Sequence, residues 1–203
     1  QAIDAVHAVL MNRVIPATLE FMEQDAISLV SKHIQNTIPS ADAGAHLLIQ
    51  IDGNTEDQVL ADLQAIVEAA RINADKMFVA QSPSQKERLW KARRSIRESI
   101  QAESSVFAAE DCVVPRGEIA EFLGNLKEYL RTRSLRSVMF GHAGDGNVHI
   151  DVLKDSMPDD QWHAMLPELK REIYSQAIAH GGTITGEHGI GCIRREYLAM
   201  AKS

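Results

Sequence analysis

A short connection near the C-terminal half constrains this chain more than any other feature. Two apolar runs, Ser137–Phe140 and Val148–Leu153, are separated only by Gly141-His142-Ala143-Gly144-Asp145-Gly146-Asn147. Runs rich in β-branched and apolar residues read as strands. A connection this short cannot hold the crossover that parallel strands require, so the two runs form an antiparallel hairpin. The three glycines permit positive φ and close backbone approach, which a tight turn demands. His142 ends one strand and His149 lies in the next, so the turn brings two imidazoles to one rim.

The rest of the chain fits the same plan. Ala17–Met22 is strand-like after Pro16, Asp25–Ile34 reads as a helix, and His46–Ile51 is an apolar run ended by the turn signal Asp52-Gly53. Thr55 and Gln58 form a capping box for a helix whose apolar positions are Val59, Leu60, Leu63, Ile66 and Val67. Asp75–Ala80 is strand-like, and Pro83 opens one long charged helix to about Glu103, with Leu89, Trp90, Ile96 and Ile100 inward. Phe107–Val114 is a strand; Ile119, Phe122, Leu123, Leu126 and Leu130 mark a helix; Asp159–Ala179 is another. Gly181–Gly191 is a loop punctuated by glycines. Strands alternating with helices across short turns, with no nucleotide-binding glycine loop, predict an α+β fold: a ferredoxin-like antiparallel sheet covered by helices.

Composition removes several classes of function. With 28 acidic against 21 basic residues and a net charge of −7, the chain lacks the basic face of a nucleic-acid binder. No apolar run approaches the ~20 residues of a membrane-spanning helix. Two cysteines, Cys112 and Cys192, give no disulfide framework, so the expected compartment is the cytoplasm. The chain starts without Met or a signal-peptide pattern, and ends at Ser203 in a helical stretch without a cap. It reads as a domain cut from a longer chain.

Chemistry concentrates in two loops. Beside the hairpin with His142 and His149, Gly186-Glu187-His188-Gly189 sets a carboxylate next to another imidazole. Two neutral imidazoles and one carboxylate suit Zn²⁺, Mn²⁺ or Fe²⁺, and three protein ligands leave a coordination position open, as a catalytic ion requires. Asp145, between two glycines, is either an alternative ligand or a turn-former. A lone histidine is ordinarily a surface or packed residue, and His7, His33, His46, His163 and His180 are read so.

Gly141-His142-Ala143-Gly144-Asp145-Gly146-Asn147-Val148-His149 and Gly186-Glu187-His188-Gly189-Ile190-Gly191 resemble the two signature loops of the FAD-linked oxidase C-terminal domain, the family of D-lactate dehydrogenases, the glycolate oxidase flavin subunit and D-2-hydroxyglutarate dehydrogenase. Pro16-Ala17-Thr18-Leu19-Glu20-Phe21-Met22, Trp90-Lys91-Ala92-Arg93 and Glu110-Asp111-Cys112-Val113-Val114-Pro115 extend the resemblance, in order, over nearly the whole of residues 1–203.

The resemblance implies a substrate-binding cap domain over an FAD held by a separate flavin domain of the same parent chain. It further implies that His142, His149 and Glu187 hold a divalent metal (Zn, Mn or Fe) and that His188 takes the hydroxyl proton of a 2-hydroxy acid. Asn147 would hydrogen-bond that substrate, and Arg93 would clamp its carboxylate. Some relatives carry a lysine where this chain has Ala109 and a threonine where it has Arg97, which turns the expected substrate from 2-hydroxyglutarate toward D-lactate or glycolate. A homodimer through the face vacated by the flavin domain, and peripheral membrane association of the parent enzyme, are also expected. Two other classes of function fit the residues alone: a metal hydrolase using the His142, His149 and Glu187 set with His188 as base, and a non-catalytic binding module.

Overall fold

The structure is a computed structural model that describes residues 3–11, 14–34, 38–71 and 76–201. In chain order the elements are α1 (Asp4–Met11), β1 (Thr18–Glu23), α2 (Gln24–Ile34), β2 (Ala45–Gln50), α3 (Glu56–Ala70), α4 (Pro83–Arg94) and α5 (Ile96–Glu103). There follow β3 (Phe107–Val113), α6 (Ile119–Thr132), β4 (Ser137–His142), β5 (Asn147–Leu153), α7 (Asp159–Ala179) and a 3₁₀ turn over Arg195–Ala201. The strands make one antiparallel sheet in the order β2-β1-β4-β5-β3. Thr183 adds a single antiparallel bridge to Val113 at the outer edge of β3. From β3 onward, two β-α units interleave about the β4–β5 hairpin and close with that bridge, which is the ferredoxin-like arrangement expected; β1 and β2 extend the sheet beyond it.

Alternation along the strands decides what each face carries. One face buries Leu19, Phe21, Cys112, Met139, Val148 and Ile150 under α6 and α7. The opposite face buries Met22, Val138, Phe140 and Leu153 under α2 and α5. On that second face the apolar character stops part-way: register places Glu20 beside His142, and His149 beside both Phe140 and Asp111. A half-apolar, half-charged sheet face is the platform for the site.

Two local expectations fail and a third holds only in half. The segment Pro83–Glu103 is two helices, because α4 ends at Ser95 and α5 restarts there. The hydroxyl of Ser99 donates to the Ser95 carbonyl at 2.7 Å, a back-bond that bends helices. The strand expected over Asp75–Ala80 does not form: Asp75 lies outside the described residues, Met77–Ala80 run without strand pairing, and Phe78 and Val79 are exposed. Thr55 caps α3 by accepting from the Gln58 amide, whereas the reciprocal capping box belongs to Ser82 and Gln85 at the start of α4.

The hairpin turn depends on its glycines. Gly146 has φ +86°, and a Cβ there would stand 2.1 Å from the Val114 carbonyl oxygen. Gly141 approaches β5 so closely that a Cβ would meet the Asn147 carbonyl oxygen at 2.2 Å. Gly146→Ala therefore combines backbone strain with overpacking and is expected to cost about 2 kcal/mol, read as a lowered denaturant midpoint. An unchanged midpoint would show that the turn has another way to close.

Candidate active site

Four strands and one loop build the site. Glu20 from β1, His142 from β4 and His149 from β5 stand side by side on the second sheet face, and the loop after Thr183 crosses the edge of β3 to lay Glu187 over them. Glu187 Oε1 lies 3.5 Å from His142 Nε2 and 3.2 Å from His149 Nε2. Three ligand atoms of this set lie within 4.8 Å of one another. Donors about 2.1 Å from a tetrahedral ion sit about 3.4 Å apart, so the spacing fits a divalent metal.

A carboxylate behind His142 fixes its proton. His142 Nδ1 is 2.8 Å from Glu20 Oε1. A carboxylate only accepts, so Nδ1 carries a proton, and in the neutral ring the lone pair sits on Nε2, on the side of Glu187. That hydrogen bond raises the His142 pKa above the ordinary histidine value. Burial opposes ionisation of Glu20, but the His142 hydrogen bond and the Arg93 charge outweigh it and hold its carboxyl below the usual range. For His149 burial dominates, with the charge of His142 adding to it, and its pKa is pushed down to about 4. His149 is therefore neutral at pH 7, as a metal ligand must be.

Asp111 holds the second loop. Its Oδ2 accepts the Thr185 hydroxyl at 3.1 Å and the backbone N–H groups of Gly186, Glu187 and His188 at 2.9, 3.1 and 2.9 Å. These bonds overcome the opposing effect of burial and keep its carboxyl ionised below the usual range. His188 consequently stacks on His149, ring centroids 5.5 Å apart, with Nδ1 3.8 Å from Asp111 Oδ2. Its side chain remains 45% exposed.

Arg93 and Asn147 also reach the site. Arg93 lies over the Phe140 ring, 4.9 Å from its centroid, and bonds Glu20 Oε2 through Nε at 3.0 Å and Nη2 at 2.8 Å. Asn147 is buried, and its Oδ1 has no hydrogen-bond partner. Asp145 takes the turn-forming role, accepting from the Asn147 amide at 2.9 Å. All six residues singled out in the sequence thus converge on one sheet face.

Reading the sequence alone missed Glu20 and Asp111 as site residues. The available signal was a carboxylate inside an otherwise apolar strand, since such groups are buried only with partners. A second metal-compatible group, Glu118, Glu121 and His180, occurs at the start of α6. There His180 spends Nδ1 on Glu118 at 3.0 Å and Nε2 on Asn125 at 3.3 Å, consistent with its reading as a packed residue.

Known proteins resemble this chain along nearly its whole length. The chain is 34% identical over 199 residues to a D-lactate dehydrogenase of Anaerostipes hadrus, covering 93% of this chain and 41% of that protein. It is 32% identical over 201 residues to the glycolate oxidase subunit GlcD of Bacillus subtilis, covering 98% and 42%. A D-2-hydroxyglutarate dehydrogenase of Stutzerimonas stutzeri is 28% identical over 191 residues. The chain spans about two-fifths of the length of these relatives. The family model for FAD linked oxidases, C-terminal domain, matches residues 1–203, and the chain belongs to that family.

Proposed function

We propose that this chain is the substrate- and metal-binding domain of an FAD-dependent oxidoreductase that converts a D-2-hydroxy acid to its 2-oxo acid. The observation that carries the reading is the convergence of His142 Nε2, His149 Nε2 and Glu187 Oε1 beside an exposed imidazole. When bound, a divalent metal there supplies a Lewis acid for the substrate hydroxyl, and FAD supplies the hydride acceptor.

The chain's own residues do the rest. His188 accepts the hydroxyl proton at Nε2 while Asp111, 3.8 Å from its Nδ1, stabilises the imidazolium that results. Loss of that proton and departure of hydride from the 2-carbon leave the carbonyl of the product. Arg93 spends Nε and Nη2 on Glu20, leaving Nη1 for the substrate carboxylate. The unpartnered Asn147 Oδ1 is an acceptor for a substrate hydrogen.

Substrate choice follows from what surrounds these groups. Arg97 is committed to Asp151 at 2.6 Å, and position 109 is alanine. No second carboxylate reader is supplied at either place, which favours D-lactate or glycolate over D-2-hydroxyglutarate. Among the described residues no helix is long and apolar enough to cross a membrane. A cytoplasmic location is our reading of two free thiols, one of them exposed.

Anaerobic reduction of the flavin of the full-length parent enzyme by D-lactate, glycolate or D-2-hydroxyglutarate tests the proposal, alongside elemental analysis of the purified protein. Bleaching with D-lactate or glycolate, and about one metal per chain that disappears in a His142→Ala, His149→Ala variant, is the expected result. Flavin that stays oxidised with all three acids overturns the reaction; metal retained by the double variant overturns the site.

A further inference from the structure

The loop that presents Glu187 and His188 is gripped from both faces of β3. Asp111 grips it on the site face. The adjacent residue, Glu110, points to the opposite face, where it is 1% exposed. There the Tyr174 hydroxyl donates to Glu110 Oε2, Lys170 Nζ lies 3.3 Å from Oε1, and Arg194 Nη2 lies 3.3 Å from Oε2. Arg194 is itself buried, and its Nη1 donates to the Gly189 carbonyl at 3.0 Å. After Thr183 the chain runs over the edge of β3, passes through Gly186–Gly189 on one face, and returns to Tyr197, which packs on Tyr174 on the other, ring centroids 5.0 Å apart.

Glu110 does not need Arg194 for its own sake. Tyr174 and Lys170, both on α7, already give it a hydrogen bond and a counter-charge. A buried ion pair is weak evidence for stability, because apolar residues of similar volume often serve equally well. What Arg194 adds is its second hand, on Gly189. A planar guanidinium can hold a carboxylate and a carbonyl at once; an ammonium, as a point charge on a flexible stem, cannot hold both in fixed geometry.

We propose that Arg194 is a positioning residue: its buried pairing with Glu110 holds the Gly189 carbonyl and thereby fixes the loop that presents Glu187 and His188. The inference rests on the metal-binding reading of the site for its purpose, and on the hydrogen bonds alone for its mechanism. Neither Glu110 nor Arg194 touches the face on which substrate is placed, so their effect travels through the loop.

Two readouts separate positioning from stability. Hydrogen exchange of the Gly186, Glu187 and His188 amides reports the loop directly, since Asp111 protects them. Titration of the purified protein with Mn²⁺ reports the site. In Arg194→Met these amides are expected to exchange about tenfold faster relative to those of α6. Mn²⁺ affinity is expected to fall about 10–100-fold, as when outer partners of metal ligands are removed. Lys170→Met also takes a cation from Glu110, but it leaves the loop amides and Mn²⁺ affinity as in the wild type while lowering the melting temperature. Arg194→Lys keeps charge beside Glu110 and follows the wild type in melting temperature and Arg194→Met in the loop.

Equal melting losses in Arg194→Met and Lys170→Met, with loop exchange unchanged, overturn the proposal. Faster loop exchange at wild-type Mn²⁺ affinity overturns the positioning role. If the wild type binds no Mn²⁺, the metal-site reading fails by itself, and the exchange comparison still decides whether Arg194 holds the loop.

Discussion

Asp151→Asn and His149→Gln are expected to tilt the pH dependence of folding in opposite directions, each by about 3 kcal/mol across the acid range. The two side chains are two residues apart on β5, on the same sheet face. Burial pushes the Asp151 carboxyl up from 3.8 to about 6, the charge of Arg97 offsetting only part of it, and Asp151 Oδ2 has no hydrogen-bond partner. Between those values the native state binds more protons at Asp151 than the unfolded chain does, so its contribution to stability is lost as pH rises. Burial pushes His149 the other way, from 6.5 down to about 4. Between those values the native state binds fewer protons at His149 than the unfolded chain, so stability grows as pH rises.

The two windows overlap and their slopes oppose, so in the wild type they largely cancel. Each variant removes one slope. Relative to the wild type, Asp151→Asn gains stability as pH rises from about 4 to 6.5, and His149→Gln loses it. Denaturant midpoints of the metal-free protein at several pH values across that range give both differences. Metal is left out because an ion on His149 competes with its proton. Parallel difference curves would show that burial does not govern these two groups.

What was legible in the sequence follows from how far apart the interacting residues lie. The hairpin carrying His142 and His149 closes within a few residues, and its glycines announce it. The helix α6 was equally plain, because Phe122, Leu123, Leu126 and Leu130 repeat with helical period and are all buried. The break at Ser95 was hidden: no glycine or proline marks it, and it arises from a serine hydroxyl competing for a backbone carbonyl. Phe78 and Val79 have strand propensity but, among the described residues, no neighbouring strand to pair with, and propensity alone does not make a sheet.

Long-range partners were the larger gap. Glu20 reaches His142 across 122 positions of sequence, and Asp111 reaches the His188 amide across 77. Neither separation carries a motif. Strand register creates both contacts, and register is a property of the assembled sheet. The histidine- and glutamate-bearing loops were thus readable as motifs, while Glu20, which bonds His142, and Asp111, which holds the second loop, were readable only as charges in apolar strands.

Asp111→Asn is expected to lower metal affinity about 10–100-fold while leaving the fold nearly intact, because it separates two duties of one carboxylate. The loop amides of Gly186, Glu187 and His188 need an acceptor at the Oδ2 position, and the asparagine oxygen supplies one. Its amide nitrogen then occupies the Oδ1 position, 4.0 Å from His149 Nδ1. An ion bound at Nε2 would require the ring proton on Nδ1, and the Asp111 carboxylate, too far for a hydrogen bond, favours that tautomer by its charge. An amide N–H in its place favours the opposite tautomer, with the proton on Nε2, where it blocks coordination. Asp111→Ala removes both duties, yet residues 186–189 are exposed and their freed amides can take up water. Its cost in stability is therefore held to about 1–3 kcal/mol, and its loss of affinity exceeds that of Asp111→Asn. Titration of Zn²⁺ or Mn²⁺ into the three proteins, beside their denaturant midpoints, checks the order. Wild-type affinity in Asp111→Asn would mean that the tautomer of His149 is set elsewhere, and that Asp111 serves the loop alone.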